Sequence, residues 1–196
     1  MGTAAGGAVP GPDSLPLAVT VRLEAPGEED QVRAVERSAF SGPEEAEIVD
    51  RIRREAPDGW FSLVAVGVPG SGVEGLIVGH LLLSPCPVVD EDGATVATVL
   101  AIGPVAVVPE VQRRRVGSVL MTAAASLAVA RGVPALVLLG HPWYYPRFGF
   151  ESARGLGLEP PTPKWPDAAW MARLLPAWTE EMRGTVRFPE AFEPLA

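Results

Sequence analysis

At 196 residues, with 47% hydrophobic and 20% charged side chains, the chain has the size and composition of one folded domain around a single core rather than a disordered segment. A formal net charge of -8 argues against a nucleic-acid partner, because nonspecific phosphate binding needs a broad basic face. A lone cysteine, Cys86, excludes an internal disulfide framework, and with only His80 and His141 to add imidazoles a cysteine- and histidine-rich zinc site is excluded too.

Residues 1–14, rich in Gly, Ala and Pro, read as a flexible tail without the charged start and long apolar middle of a signal peptide. From 15 to 196 a single domain is expected, with 153–196 as a C-terminal extension. "LPLAVTVRLE" is apolar and β-branched and reads as a first strand. "PGEEDQVRAVERSAF" follows with Val32, Val35, Ala39 and Phe40 at helical spacing. A second short helix begins after Pro43, with Ile48, Val49 and Ile52 on one stripe. "WFSLVAVGV" is a strand, "PGSG" a turn, and "LIVGHLLLSPCPVV" a long strand. "DEDG" then marks a hairpin whose return is "ATVATVLAIGPVAVV". Gly70, Gly72 and Gly75 match G-x-G-x-x-G formally, but a β-rich run follows them, where a dinucleotide site needs a helix.

Gln112 to about Arg131 has helical spacing, with Val116, Val119, Leu120, Ala123 and Leu127 on an apolar stripe. "ALVLLG" is a continuously apolar strand of the kind buried on both faces. Strand, helix, strand predicts a right-handed crossover with Val105–Val108 parallel to Ala135–Leu139. "HPWYYPRFGF" reads as a turn and short helix, "PDAAWMARLL" as a helix and "TVRF" as a last strand. No apolar run reaches eighteen residues, so no membrane span is expected, and a reduced cytoplasmic setting fits the unpaired cysteine.

Arg113, Arg114 and Arg115 stand out because they sit in an acidic chain, at a seam between a strand and a helix. The first amides of a helix lack intrahelical acceptors, and the helix dipole adds partial positive charge there. An anion at that point accepts several hydrogen bonds at once. Gly117 leaves room for a phosphate, Ser118 offers a hydroxyl, and guanidinium groups add charge-assisted donors. A small anionic ligand such as a pyrophosphate suits this stretch better than a polymer. The alternative is a solvated basic turn.

Gln112-x-x-Arg115-Val116-Gly117-Ser118 resembles the Q/R-x-x-G-x-G/A signature of the GCN5-related N-acetyltransferases, the GNAT superfamily. "YYPRFGF" resembles that family's later Y-x-x-x-G-F motif, and "LGHPWYYPRFGF" is similar to bacterial members of the YhbS type. The two motifs lie about thirty residues apart with a helix and a strand between them, and the resemblance is strongest from Leu100 to Leu158. The family usually has glycine where this chain has Arg115, whose side chain then points outward or toward the 3′-phosphate.

The resemblance implies an α/β (α+β) fold: a twisted, mostly antiparallel sheet with flanking helices and a parallel, splayed pair of central strands. It implies acetyl transfer from acetyl-CoA, as cosubstrate and without a metal, to an amine acceptor. Pantetheine would lie along Val105, Ala106 and Val107, with Gly103-Pro104 breaking regular pairing beside them. The pyrophosphate would lie on Gln112, Arg113, Arg114, Arg115, Val116, Gly117 and Ser118. Tyr145, the tyrosine of the later motif, would protonate the leaving thiolate, or its neighbour Tyr144 would. His141 is the candidate base, beside ordered water, His80, Glu44 and Glu45. Family members often pair, so a homodimer is an expectation, with neither nucleic acid nor membrane as partner. A catalytically silent acyl-CoA sensor is the competing reading. The four tryptophans Trp143, Trp165, Trp170 and Trp178 either line an acceptor pocket, close an interface or pack the core, with packing expected for at least two.

Overall fold

The computed structural model describes residues 15–40, 42–55 and 59–189; the expected tail falls outside them. Nine strands form one sheet in the order β1 (Val19–Leu23), β2 (Phe61–Gly67), β3 (Ile77–Val89), β4 (Thr95–Val107), β5 (Ala135–Leu139), β8 (Trp170–Leu174) and β6 (Glu151–Ser152). Off this path, β9 (Gly184–Val186) pairs with β3 and with β7 (Leu158–Glu159). Three α-helices flank the sheet: α1 (Glu29–Ala39), α2 (Glu44–Glu55) and α3 (Val116–Ala130). Long runs of β-branched and leucine side chains make β2 and β3 buried on both faces. The Gly70–Gly75 loop leads straight into β3, so no helix follows those glycines.

One face is closed by α3, which contacts β1 through β5. Its buried side chains are Val116, Leu120, Met121, Ala124, Ala125 and Ala128. The small alanines let the helix lie close, and Gly79 of β3 does the same from below: a Cβ there would meet Val116 Cγ1 at 2.9 Å. The predicted stripe is thus rotated, with Val119 left 39% exposed.

Two separate layers cover the other face. α1 and α2 close over Val64, Leu82 and Ala106 with Val32, Val35, Ile48, Val49 and Ile52. The segment after Phe150 closes over Cys86, Val99, Ala101, Val137 and Ala172 with Leu158, Trp165 and Trp170. Trp165 and Trp170 are therefore core residues, their rings 5.4 Å apart, as packing predicts for two of the four. Trp143, in contrast, is 71% exposed.

Three expectations need correction. α3 begins at Val116, not Gln112, because residues Pro109–Val111 form a 3-10 turn and Arg113 and Arg115 take left-handed backbones. "PDAAWMARLL" contains β8 rather than a helix: Ala, Met, Arg and Leu favour helix alone, but pairing with β5 along all five residues overrides that preference. The parallel pair exists, but its contacts lie at Leu100↔Leu136 and Ala101↔Val137, upstream of Val105.

Candidate active site

The sheet is interrupted where the motifs converge. Across β3 and β4, Leu83 pairs with Ile102 and Leu81 with Val105, so Gly103 and Pro104 together oppose Leu82. This is a β-bulge at the position where Pro removes a ladder donor. Beyond Ala101, β4 keeps its β3 partner but no longer pairs with β5. The β4 backbone from Ile102 to Val107 therefore presents a free edge toward the parted end of β5. Val105 and Val107 are half-buried along it, while Ala106 is buried under α1 and α2.

The top of this edge runs into the arginine loop. Gln112 Nε2 donates to Val107 C=O at 3.0 Å, tying the loop back to β4. Arg114 C=O accepts from Leu17 N–H at 3.0 Å, and its Nε donates to Leu15 C=O at 3.3 Å. Arg113 (φ 63°) and Arg115 (φ 64°) bend the chain left-handed on either side. Helical bonding starts with Val119 N–H to Arg115 C=O, so the amides of Val116, Gly117 and Ser118 precede the ladder and form the helix's electropositive end. A left-handed residue followed by helical ones turns successive N–H groups to one side, the arrangement of an anion nest. Arg115, Ser118, Val119, Thr122 and Ala123 line a hollow of about 410 Å³ beside it. These residues follow i, i+3, i+4, i+7, i+8, a second stripe that the core-facing spacing of α3 conceals.

The later motif lies at the end of β5. Tyr145 opens the 3-10 turn Tyr145–Phe148, and its ring covers Gly140, where a Cβ would sit 2.2 Å from Tyr145 Cε2. Burial pushes the Tyr145 phenol up to about 12, with Tyr144 adding to the rise. Tyr144 sits closer to α3: a Cβ on Gly117 would lie 3.2 Å from its hydroxyl. Burial raises this phenol too, opposed by Arg147 and by a hydrogen bond with Ser118. Arg147 lies over the Tyr144 ring at 4.6 Å. The two tyrosines stand edge to face, so the site's aromatic wall is both of them. His141 is exposed at the end of β5 and stacks on Trp143 at 5.6 Å. His80 is instead buried on β3, and Glu44 and Glu45 stand in the first turn of α2.

Among the described residues, no group of three or more His, Cys, Asp or Glu is placed to hold a metal ion, and no helix is long and apolar enough to cross a membrane.

Known proteins resemble this chain. The sequence model of the acetyltransferase (GNAT) domain matches residues 20–153. YjhQ of Escherichia coli K12, named an uncharacterized N-acetyltransferase, is 31% identical over 172 residues, covering 86% of this chain and 91% of its own. YhbS of the same strain, named likewise, is 28% identical over 172 residues, covering 88% and 97%. Among solved structures, E. coli YhbS in complex with CoA superposes with a TM-score of 0.74 at 25% identity, over 90% of this chain and 92% of that one. A GNAT-family acetyltransferase of Brucella melitensis in complex with acetyl-CoA superposes at 0.69 with 26% identity, over 90% and 99%. Match, parted parallel pair and loop together make this chain a member of the GNAT acetyltransferase family.

Proposed function

We propose that the protein transfers the acetyl group of acetyl-CoA to a primary amine of a small molecule or protein by direct attack on the thioester. The free β4 edge beneath the amides that open α3 carries this reading, because it offers an extended chain hydrogen bonds and an anion a cradle along one continuous line. The relatives crystallised with CoA and acetyl-CoA support it. Val105, Ala106 and Val107 would hold the pantetheine arm. Gln112 to Ser118 would hold the pyrophosphate, with Arg113 and Arg115 as the cationic side chains beside it and Arg114 bracing the loop on Leu15.

In the reaction the amine nitrogen bonds to the acetyl carbon, the carbon–sulfur bond breaks, the nitrogen loses a proton and the sulfur gains one. Tyr145, protonated throughout neutral pH, supplies a proton to the sulfur. His141, at the parted end of β5, receives the amine's proton.

The test is a panel of amines with acetyl-CoA, read by release of free thiol, on the wild type and on Gly117→Glu. Thiol release with at least one amine is expected from the wild type. In the variant, calorimetry should detect no CoA binding, because a carboxylate and its bulk stand at the phosphate cradle. CoA binding without release across a broad panel would favour the silent sensor, and unchanged CoA affinity in Gly117→Glu would refute the cradle.

A further inference from the structure

A chain of polar groups runs through the apolar layer between the sheet and the α1–α2 pair. Glu36 of α1 and His80 of β3 are buried, at 1% and 0% exposure. Glu36 Oε1 contacts His80 Nδ1 in a short hydrogen bond. His80 Nε2 lies 2.8 Å from Ser62 Oγ on β2, and Ser62 also is buried. Ser62 Oγ in turn donates to Glu24 Oε2, just past β1. Arg53 of α2 closes the chain, its Nη2 at 2.6 and 2.5 Å from the two Glu24 oxygens.

Counting hydrogens narrows the state of this chain. The contacts Glu36–His80, His80–Ser62 and Ser62–Glu24 need three hydrogens between them. The serine hydroxyl supplies one and a neutral imidazole one. The third sits on a carboxyl group or on the second imidazole nitrogen. Two guanidinium hydrogens on Glu24 favour its carboxylate form. An imidazolium then gives the alternation Glu36 minus, His80 plus, Glu24 minus, Arg53 plus, with no net buried charge. The alternative, with that hydrogen on Glu36 and a neutral ring, also carries no net charge but gives up the charge-assisted bond between Glu36 and His80. The remaining Glu36 oxygen is buried with no partner among the described residues, so His80 is the group that holds this side chain. Other charged groups lie at the outer end: Asp50 3.7 Å from Arg53 and 3.0 Å from Arg33, and Glu29 in the same groove as Glu24.

The position of the chain gives it a role. His80 is the register partner of Ala106, on the strand whose free edge forms the slot. α3 closes one face of the sheet, so on the acetyl-transfer reading an acceptor would come from the other face. On that face Ala101 and Val137 lie under the C-terminal layer and Ala106 under α1 and α2, and α1 packs on both β3 and β4. We propose that Glu36 and doubly protonated His80 are positioning residues for acetyl transfer, locking α1 and, through Ser62, Glu24 and Arg53, α2, as the wall that orients the acceptor. This rests on the acetyl-transfer reading for its kinetic consequence but not for its charge state.

Only two histidines occur in the chain, so imidazole nitrogen NMR of the full protein is simple to assign, with His141→Ala identifying the second signal. At pH 7 the His80 ring should show hydrogen on both nitrogens. A bare nitrogen would overturn the proposal. In kinetics with an accepted amine, Glu36→Gln should raise the acceptor KM about tenfold or more while CoA affinity by calorimetry stays within about twofold, since misplacing one wall costs orientation rather than donor binding. Ser62→Ala, which cuts only the outer arm and leaves the Glu36–His80 pair, should move acceptor KM in the same direction by less. It supplies the kinetic arm if Glu36→Gln does not fold. Wild-type acceptor KM in the folded variants would also overturn the proposal. If no amine is acetylated, the transfer reading fails, while the imidazole spectrum still decides the clamp.

Discussion

Arg115 holds a left-handed backbone at φ 64°, a conformation that costs a side chain with a Cβ roughly 1–2 kcal/mol and costs glycine almost nothing. Relief of that strain in Arg115→Gly is offset by the greater freedom of glycine in the unfolded chain, so thermal unfolding should show a change within about 1 kcal/mol. CoA affinity should fall by no more than about tenfold, the share of one exposed guanidinium. Tyr145→Phe should keep CoA affinity and lower turnover by about 10²-fold, measured by thiol release, because it removes a proton donor and no packing surface. Motif spacing singles out Gly117 and Tyr145 as candidates. Tyr144 was legible only as a neighbour; its approach to Gly117 depends on how the loop after β5 folds back on α3, which no local pattern encodes. The Glu36–His80 pair was hidden for the same reason, since 44 residues separate partners that touch only once α1 lies on the sheet.

Between residue and fold, the bulge at Gly103-Pro104 sets where β4 stops being an ordinary strand. Deleting Gly103 would pair β3 and β4 one to one and turn Val105, Ala106 and Val107 to opposite faces. Ala106 would leave the α1–α2 layer, and loss of CoA binding in calorimetry together with a markedly lower melting temperature is the expected outcome. The Gly-Pro pair announces this element in the sequence, as the long apolar run announces β3 and the strand-helix-strand order the crossover through α3. β8 departs from the expected helix because its residues favour helix in isolation and only the open side of β5 makes them a strand. The start of α3 was placed four residues early because arginine is a good helix former, and nothing in three arginines signals two left-handed backbones.

At the scale of the molecule, the same face of one sheet carries two coverings, and Cys86 lies under the second at 0% exposure. Burial pushes its thiol up to about 12. A thiol reagent at pH 8 should therefore leave the native protein unmodified and label it stoichiometrically in denaturant, and rapid native labelling would contradict the packing of the C-terminal segment. Because the folded thiol binds its proton more tightly than the unfolded one, its contribution to stability is complete below about pH 9 and declines as pH rises toward 12. The general architecture follows from alternating strands and amphipathic helices, whereas the joining of β9 to β3 across almost a hundred residues is a property of the closed molecule alone.

The unpaired stretch of β4 has one more consequence. A row of backbone donors and acceptors without a neighbouring strand is ordinarily a hazard at the rim of a sheet, where other chains add to it. Here the row is interior, flanked by β3 on one side and by the diverging β5 on the other, a setting that would suit a slender, flexible thread with amide groups of its own better than a bulky polypeptide. On the acetyl-transfer proposal, selection of the acyl carrier would begin with the width of this gap, before any charge on the carrier is recognised.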